Sequence, residues 1–417
     1  SDAPEIVFEQ GGIVTTNSYF NSIYENFYTK YTSLDSLSYQ LRLEGDFKIS
    51  IYRESAEEKS RDLISTEKLE NCQATEFVSF KLPKLEQGRI YFEIECLSDR
   101  GAFKEGAIVT EQNRIREVSL AIISCTYKKE EYIKKTVDTI VRDPLLQTKS
   151  WKIFVVDNGE TLSTKDFTDS RVQLIPNRNV GGSGGFTRGL VEALQFDGYT
   201  HFLFMDDDIE LDSESIYRLF SLYEYAPDDF AVAGSMLDLI KKHVLYEAGA
   251  LYGKDHKTLE TSPFSVALRK HNLELENPES LNLLLLDEYI DYGGFWFFAF
   301  SRKVVEEIGL PLPYFIKVDD MEFCVRITKL GGKIVAFPSI GVWHEPFYNK
   351  VIVWDSYYYV RNNLITHSVY GTINYINTIF RFTRDLIFSL LIFEYNSAAL
   401  IVRAFEDYLK GPSVLKS

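Results

Sequence analysis

The feature that most constrains the fold is an apolar segment, residues 202–208, that ends in three consecutive carboxylates. Its first residues carry no charge, which is typical of a strand buried on both faces of a parallel sheet. Such a strand would place its acids at the carboxyl edge of the sheet, where open α/β folds bind ligands. Because side chains alternate along a strand, Asp206 and Asp208 can converge while Asp207 points elsewhere.

Three neighbouring carboxylates repel one another, and their proximity therefore suggests a bound cation. Carboxylate oxygens favour hard ions such as Mg²⁺ or Mn²⁺, which in turn bind phosphates. The alternative is a solvated acidic turn before a helix, with Asp212 and Glu214 near the helix N-terminus. The triplet alone leaves both interpretations open.

Composition limits the classes of partner and compartment. The net charge is −16, which argues against nucleic acid as the main partner because phosphate binding needs a basic surface. The four cysteines show no CxxC spacing, so neither a zinc site nor a disulfide scaffold is indicated. No signal peptide opens the sequence, and the most apolar C-terminal run, residues 386–393, is too short to span a bilayer. We therefore expect a cytoplasmic protein.

The sequence divides into three regions. Residues 1–112 contain short segments with period-two alternation, which predict a β-sandwich. Residues 113–350 alternate buried strands with helices and predict a nucleotide-binding α/β unit with a mostly parallel sheet. Residues 351–417 are helical and rich in aromatic residues, with arginines on apolar faces. That surface is open to three interpretations: helix packing, an oligomer contact or contact with a membrane surface.

Two further polar features lie in the α/β unit before the acidic strand. Asp157 ends a strand, where it could accept hydrogen bonds from a base or a ribose, or instead cap a turn. The segment 179–185 is rich in glycine but lacks the spacing of a P-loop or a Rossmann fingerprint. Glycines before a helix can let a backbone approach an anion. We favour ligand binding over a flexible turn because Asn179, four glycines and Arg188 occur together.

A second acidic cluster, Asp319-Asp320-Met321-Glu322, comes directly before a helical pattern. A helix N-terminus stabilises negative charge, and a pair of acids near a metal site suits a general base. Simple helix capping is the alternative, although it explains one acid better than three.

Two more residues are candidates for the same edge. Trp296 follows two glycines and could pack on a sugar face, with core packing as the alternative. His344 follows a strand, so a role as metal ligand beside the aspartates is credible, although a lone histidine is more often structural.

Taken in order, these motifs resemble those of the inverting family 2 glycosyltransferases of the GT-A fold. The set is Thr126-Tyr127, Val156-Asp157, Asn179-Val180-Gly181-Gly182, Asp206-Asp207-Asp208, Asp319-Asp320-x-Glu322 and Trp343-His344. Within that family the chain resembles the polymerising galactofuranosyltransferases of mycobacterial galactan synthesis. The likeness extends to the N-terminal β-sandwich and to the Arg361-Asn362 pair.

The resemblance implies a role for each matching residue. Asp206, Asp208 and His344 would hold Mn²⁺ or Mg²⁺ on the nucleotide diphosphate. Asp320 would be the general base that deprotonates the acceptor hydroxyl, and Asp319 would hold the acceptor. The nucleotide sugar would be bound by Thr126, Lys129, Asp157, Asn179, Gly182, Asp207 and Trp296.

Three departures from the family pattern bear on specificity. The comparison is with the galactofuranosyltransferases that the chain resembles. Lys129 stands where they have an arginine, Val318 where they have a tryptophan, and Phe295-Trp296 where they have two consecutive tryptophans. Donor geometry could be retained while the acceptor and the linkage differ.

The sequence therefore predicts a metal-dependent inverting glycosyltransferase that moves galactofuranose from UDP-galactofuranose to a glycan or lipid-linked acceptor in bacterial surface polysaccharide synthesis. Peripheral contact with the inner face of the cell membrane and homo-oligomerisation are part of this expectation. One alternative is another sugar nucleotide, such as dTDP-rhamnose. The other is a carbohydrate-binding protein whose transferase domain is inactive.

Overall fold

The computed structural model describes residues 5–55, 61–349 and 354–416. A strand-rich N-terminal region, a central α/β region and a set of C-terminal helices follow one another along the chain. The region boundary predicted at residues 350–351 lies outside the described residues, so its position stays a prediction.

The N-terminal region is made almost entirely of strands. Its elements are β1 (Ile6–Glu9), β2 (Ile13–Thr15), β3 (Ile23–Tyr24), α1 (Glu25–Tyr31), β4 (Ser38–Glu54), β5 (Arg61–Cys72), β6 (Phe77–Lys81), β7 (Arg89–Cys96) and β8 (Arg100–Val109).

Strand β4 organises this region. Its first half pairs with β6 and β8, and its second half pairs with β5 and β7. The change of partners falls at bulges around Gly45, whose φ of 110° is one that side-chain-bearing residues rarely adopt. Leu41, Phe47 and Ile94 lie in one core between the two groups of strands. The sequence patterns did not predict β5, because its side chains are mostly exposed and carry no apolar alternation.

The central region holds the following elements. They are β9 (Ser119–Thr126), α2 (Glu130–Arg142), β10 (Ser150–Asp157), β11 (Val172–Pro176), α3 (Gly181–Leu194), β12 (His201–Asp206), α4 (Glu214–Glu224), β13 (Ala231–Ala233), β14 (Ser235–Asp238), β15 (Val244–Glu247), β16 (Ala250–Lys254), β17 (Thr261–Leu268), β18 (Leu273–Glu274), α5 (Pro278–Leu283), β19 (Phe298–Ser301), α6 (Arg302–Ile308), α7 (Asp319–Lys329), β20 (Ile334–Val335) and β21 (Gly341–His344).

The main sheet confirms the predicted α/β unit. Within the described residues its strand order is β11-β10-β9-β12-β19-β13-β20, and β19 alone runs antiparallel to its neighbours. Strands β9, β10 and β12 are buried almost throughout, which explains their continuous apolar sequences. In register, Asp157 lies opposite Thr126, and Asp206 lies opposite Cys125. The carboxyl ends of these strands therefore meet at one edge.

Residues 235–290, whose sequence has no clear periodicity, form regular strands and one short helix. This part of the chain supplies three strands of the small sheet β18-β15-β14-β21, both strands of the sheet β16-β17, and the helix α5. Strands β14 and β15 are buried along their whole length, so they lack the alternation that marks a strand in sequence. Strand β21 pairs in parallel with β14, which fixes the place of His344.

The glycine-rich segment forms the first turns of α3 rather than a loop before it. A Cβ on Gly181 would lie 2.0 Å from the carbonyl oxygen of Phe315, and one on Gly185 would lie 2.0 Å from Cys125 Sγ. A Cβ on Gly189, one turn further on, would lie 2.4 Å from Ile123. These three glycines let the helix pack closely on β9 and on the chain around Phe315. Gly182 differs, since a Cβ there would meet no atom within 4 Å.

The described part of the C-terminal region contains three α-helices, α8 (Asp355–Val369), α9 (Tyr375–Leu391) and α10 (Tyr395–Leu409), and ends in a short 3-10 helix, Pro412–Lys416. Helix α10 packs against both α8 and α9. Helix α9 exposes a broad apolar face, formed by Ile376, Ile379, Phe380, Ile387, Phe388 and Leu391. None of the helices in the described residues combines the length and the apolar content needed to cross a bilayer.

Candidate active site

Two carboxylates and an imidazole meet at the carboxyl edge of the main sheet. Asp206 ends β12, Asp208 follows two residues later, and His344 ends β21. One ligand atom from each lies within 4.8 Å of the others. His344 Nε2 is 3.7 Å from Asp206 Oδ2 and 3.5 Å from Asp208 Oδ1. We call these residues the metal triad, because carboxylate and imidazole donors at this spacing suit a divalent ion such as Mn²⁺ or Mg²⁺.

Asp207 is not part of the metal triad, in keeping with the alternation of side chains predicted for this strand. Its side chain is buried, and burial raises the pKa of Asp207 to about 7, although Lys129 and Thr126 favour its ionised form. Lys129 Nζ lies 2.5 Å from Asp208 Oδ2 and 3.9 Å from Asp207 Oδ1. Lys129 thus supplies positive charge at the edge of the acidic cluster.

Asp157 lies at the same edge but is turned inward. Its carboxylate accepts hydrogen bonds from the backbone N–H groups of Gly159, Thr161 and Leu162 at 2.7–2.9 Å, and the residue is 1% exposed. This arrangement corresponds to the turn-stabilising alternative. Contact between Asp157 and a nucleotide stays a prediction.

A chain of amides links this turn to the start of α3. Asn177 Nδ2 donates to Asn158 Oδ1 at 2.8 Å, and Asn158 Nδ2 donates to the carbonyl oxygen of Gly181 at 3.0 Å. The exposed Asn179 accepts from the N–H of Gly181 through Oδ1 at 3.0 Å. Asn158 and Asn177 were not singled out from the sequence, although each is a polar residue that directly follows a strand.

Asp319 and Asp320, which we call the acid pair, begin helix α7, as the sequence predicts. Asp319 is buried and Asp320 is partly exposed. The N–H of Met321 donates to Asp320 Oδ1 at 2.8 Å. Burial raises the pKa of both carboxyls, and the charge of Asp206 adds to the effect. Two acids with raised pKa values beside a metal triad form a site that could hold or move a proton.

Glu247 is a further acidic residue that the sequence analysis missed. It ends the buried strand β15 and is 2% exposed. Burial, followed by the neighbouring Asp320, raises the pKa of Glu247 to about 8, so the side chain is largely protonated at neutral pH. The available signal was an acid at the end of an apolar strand, the same signal that identified Asp206.

Trp296 is buried against the metal triad. Its indole Nε1 donates to the carbonyl oxygen of Gly234 at 3.0 Å, and its ring centroid lies 6.1 Å from that of His344. Only 5% of the residue is exposed, which corresponds to the core-packing alternative. Contact between Trp296 and a sugar stays a prediction, whereas its contact with His344 is direct.

Two family models match the chain. The model described as "Glycosyltransferase like family 2" matches residues 117–355, and the model described as "Galactofuranosyltransferase 2 N-terminal" matches residues 2–110. The first covers more than half of the chain and includes both the metal triad and the acid pair. Together with the mostly parallel sheet, it confirms the predicted GT-A fold class.

Two curated relatives match nearly the whole chain. The galactofuranosyltransferase GlfT2 of Mycolicibacterium smegmatis is 28% identical over 97% of this chain and 65% of its own length. The galactofuranosyltransferase GlfT2 of Mycobacterium tuberculosis is 26% identical over 97% of this chain and 67% of its own length. The chain thus spans about two thirds of the length of the curated relatives it matches.

Among solved structures, the mannosyltransferase PcManGT from Pyrobaculum calidifontis, in complex with GDP-Man and Mn²⁺, is 12% identical. The likeness covers 72% of this chain and 77% of that one, with a TM-score of 0.41. The family model, which matches residues 117–355, shows that the chain belongs to glycosyltransferase family 2.

Proposed function

We propose that the chain is a metal-dependent inverting galactofuranosyltransferase that transfers galactofuranose from UDP-galactofuranose to a glycan or lipid-linked glycan acceptor. The observation that carries the proposal is the metal triad at the edge of the sheet, with the acid pair close enough for the charge of Asp206 to raise the pKa of both its carboxyls. The names of the curated relatives and the match of residues 2–110 support the donor sugar.

On the donor side, Asp206, Asp208 and His344 would hold Mn²⁺ or Mg²⁺. A bound divalent ion stabilises the charge that develops on a diphosphate leaving group. Lys129, which contacts Asp208, adds positive charge on the same side. Gly182, whose Cα faces open space, leaves room for a donor to approach the start of α3.

On the acceptor side, Asp320 acts as the general base that takes the proton of the acceptor hydroxyl as the new bond forms. The family resemblance assigns the binding of the acceptor to Asp319, whose side chain is buried in this structure, and the buried Glu247 lies behind Asp320 rather than in contact with an acceptor. One base on the acceptor side gives a single displacement with inversion of the anomeric carbon. Asp320 is partly exposed as a residue, whereas Asp319 is buried, so Asp320 is the better placed of the two to meet an acceptor.

The donor is tested with a panel of sugar nucleotides, each scored for transfer and hydrolysis with Mn²⁺ and again with EDTA. We expect turnover of UDP-galactofuranose that is lost in EDTA. Turnover of dTDP-rhamnose instead would keep the fold and the site but contradict the donor. Binding of nucleotide without turnover of any donor, in the presence of a glycan acceptor, would favour the inactive carbohydrate-binding alternative.

The setting of the reaction is part of the same proposal. A lipid-linked acceptor would bring the protein to the inner face of the cell membrane, and the exposed apolar face of α9 is a surface that could contact lipid or another copy of the chain. Centrifugation of the protein with and without anionic lipid vesicles tests the membrane contact. Its sedimentation in the absence of vesicles tests the oligomer.

A further inference from the structure

The segment that leads into the acid pair has an unusual backbone. Phe315, Lys317 and Val318 have φ values of 72°, 64° and 69°. Non-glycine residues seldom adopt this left-handed region, and a β-branched residue such as Val318 does so least readily. Without contacts to the rest of the protein, residues 312–318 would adopt a less strained backbone conformation. The surrounding structure must therefore hold them in place.

One buried side chain of α8 holds the backbone of this segment. Asn362 is fully buried, and its Nδ2 donates to the carbonyl oxygens of Ile316 and Lys317, each at 2.8 Å. A longer contact of 3.3 Å reaches the carbonyl oxygen of Tyr314. Because a buried amide that lacks these acceptors would be costly, the side chain and the segment fix each other.

Arg361 sets the orientation of that amide. Its Nε donates to Asn362 Oδ1 at 3.0 Å, which turns Nδ2 toward the segment. Its Nη2 donates to the carbonyl oxygen of Tyr314 at 2.9 Å. The two neighbouring residues of α8 therefore act on the same stretch of backbone.

Other contacts enclose the segment from both sides. On the α8 side, Lys317 Nζ lies 3.0 Å from Asp355 Oδ2, and the ring of Phe315 stacks on that of Tyr358 at 5.2 Å. On the α3 side, the N–H of Ser183 donates to the carbonyl oxygen of Phe315 at 3.1 Å, and Ser183 Oγ donates to that of Leu312 at 2.5 Å. The segment is thus clamped between α3 and α8.

We propose that Asn362, oriented by Arg361, is a positioning residue that holds residues 312–318 in a backbone conformation that is left-handed at Phe315, Lys317 and Val318, and thereby sets the direction of the acid pair. The inference rests on the proposed function insofar as Asp320 acts as the base. Its structural part, the restraint of the segment by Asn362, does not depend on which reaction the acids serve.

The test compares two neighbouring asparagines of α8. Asn362→Leu removes the donor to the segment while keeping a side chain of similar size. Asn363→Leu is the matched control, because Asn363 is equally buried but donates to Tyr359 within its own helix and accepts from the hydroxyl of Tyr252. Both variants lose buried hydrogen bonds, so both should lose stability.

Two measurements separate positioning from stability. In Asn362→Leu, hydrogen exchange of the peptide covering residues 312–320 should speed up, and kcat should fall about a hundredfold, as expected when a catalytic group moves by about 1 Å. The affinity for UDP with Mn²⁺ should change less than twofold. In Asn363→Leu, exchange in that peptide and kcat should stay within twofold of the original protein. Equal effects of both variants, or normal exchange in Asn362→Leu, would overturn the inference.

Two further comparisons cover the cases in which Asn362→Leu does not fold or the unmodified protein shows no transfer. If Asn362→Leu does not fold, Ser183→Ala removes one contact from the opposite side and should speed exchange in the same peptide by a smaller factor. Unchanged exchange there would contradict the clamp. If the unmodified protein transfers no galactofuranose, the proposed function fails, while the exchange comparison still decides whether Asn362 restrains the segment.

Discussion

At the scale of single residues, the proposed transfer depends on the ionisation of Asp320. A general base must be ionised, and burial raises the pKa of this carboxyl above its ordinary value of about 3.9. As the pH falls through the raised pKa, the base is protonated and transfer stops. We expect the acid limb of kcat/KM to lie at a clearly higher pH than for an ordinary aspartate. A rate that stays constant down to about pH 4 would contradict this assignment.

Glu247 gives a stability prediction at the same scale. Its pKa is raised to about 8, so between the pKa values of the unfolded and folded states the folded protein binds the extra proton. The free energy of unfolding therefore falls as the pH rises through this range. Glu247→Gln stays neutral and should escape that loss, gaining about 1–3 kcal/mol over the original protein between pH 5 and 8. Thermal unfolding of both proteins across this pH range measures the difference in stability. If the stability of the two proteins depended on pH in the same way, the prediction would be contradicted.

At the scale of elements, helix α3 packs on β9 through glycines. Gly185→Ala should lower the free energy of unfolding by about 1–3 kcal/mol, because the new Cβ would overlap Cys125 Sγ. Gly182→Ala is the matched control: its Cβ meets open space, so the variant should be as stable as the original or slightly more so. Denaturant unfolding measures both. If Gly182 approaches the donor, this control should bind UDP more weakly despite its stability.

The elements also show what the sequence could predict. Apolar runs that end in acids identified β10, β12 and their shared edge, and the second acidic cluster identified the start of α7. The start of α3 was misplaced, because close packing on Cys125 and Phe315, which requires glycine, cannot be read from local sequence. Nothing near Val318 signals its left-handed backbone, because that conformation depends on contacts with α8, which lies some forty residues further along the chain.

Long-range pairing limits the prediction of the site in the same way. His344 reaches Asp206 and Asp208 because β21 pairs with β14, a strand about one hundred residues earlier in the chain. Periodicity within β21 could place the histidine at a strand end but not beside the aspartates. The family resemblance supplied that link, and the structure brings the three residues together.

At the scale of the whole molecule, a buried polar network joins the N-terminal region to α5 of the central region. Asn282 Nδ2 donates to Glu54 Oε2 at 2.8 Å, and Asn282 Oδ1 accepts from Arg89 Nε at 3.1 Å. Arg89 and Glu54 form a buried ion pair at 3.0 Å. Asn282→Leu should therefore lower the free energy of unfolding by about 2–4 kcal/mol, because it leaves two buried charged groups with fewer partners.

The control for this prediction lies at the same junction. Lys30 forms an ion pair with Asp287, but its side chain is 50% exposed. Lys30→Ala should lower the free energy of unfolding by less than about 1 kcal/mol, since water screens such exposed ion pairs. Comparable losses of unfolding free energy in the two variants would mean that the buried network does not join the regions more strongly than a surface contact.

We propose that the site has two parts: the metal triad binds the diphosphate of the donor, and the acid pair binds and deprotonates the acceptor. Titration of UDP with and without Mn²⁺ tests it most directly, in the original protein, Asp208→Ala and Asp320→Asn, with transfer measured in parallel. We predict that Asp208→Ala loses the Mn²⁺-dependent part of UDP affinity, and that Asp320→Asn keeps this affinity but loses transfer. Unchanged Mn²⁺-dependent binding in Asp208→Ala, or normal transfer by Asp320→Asn, would contradict the account.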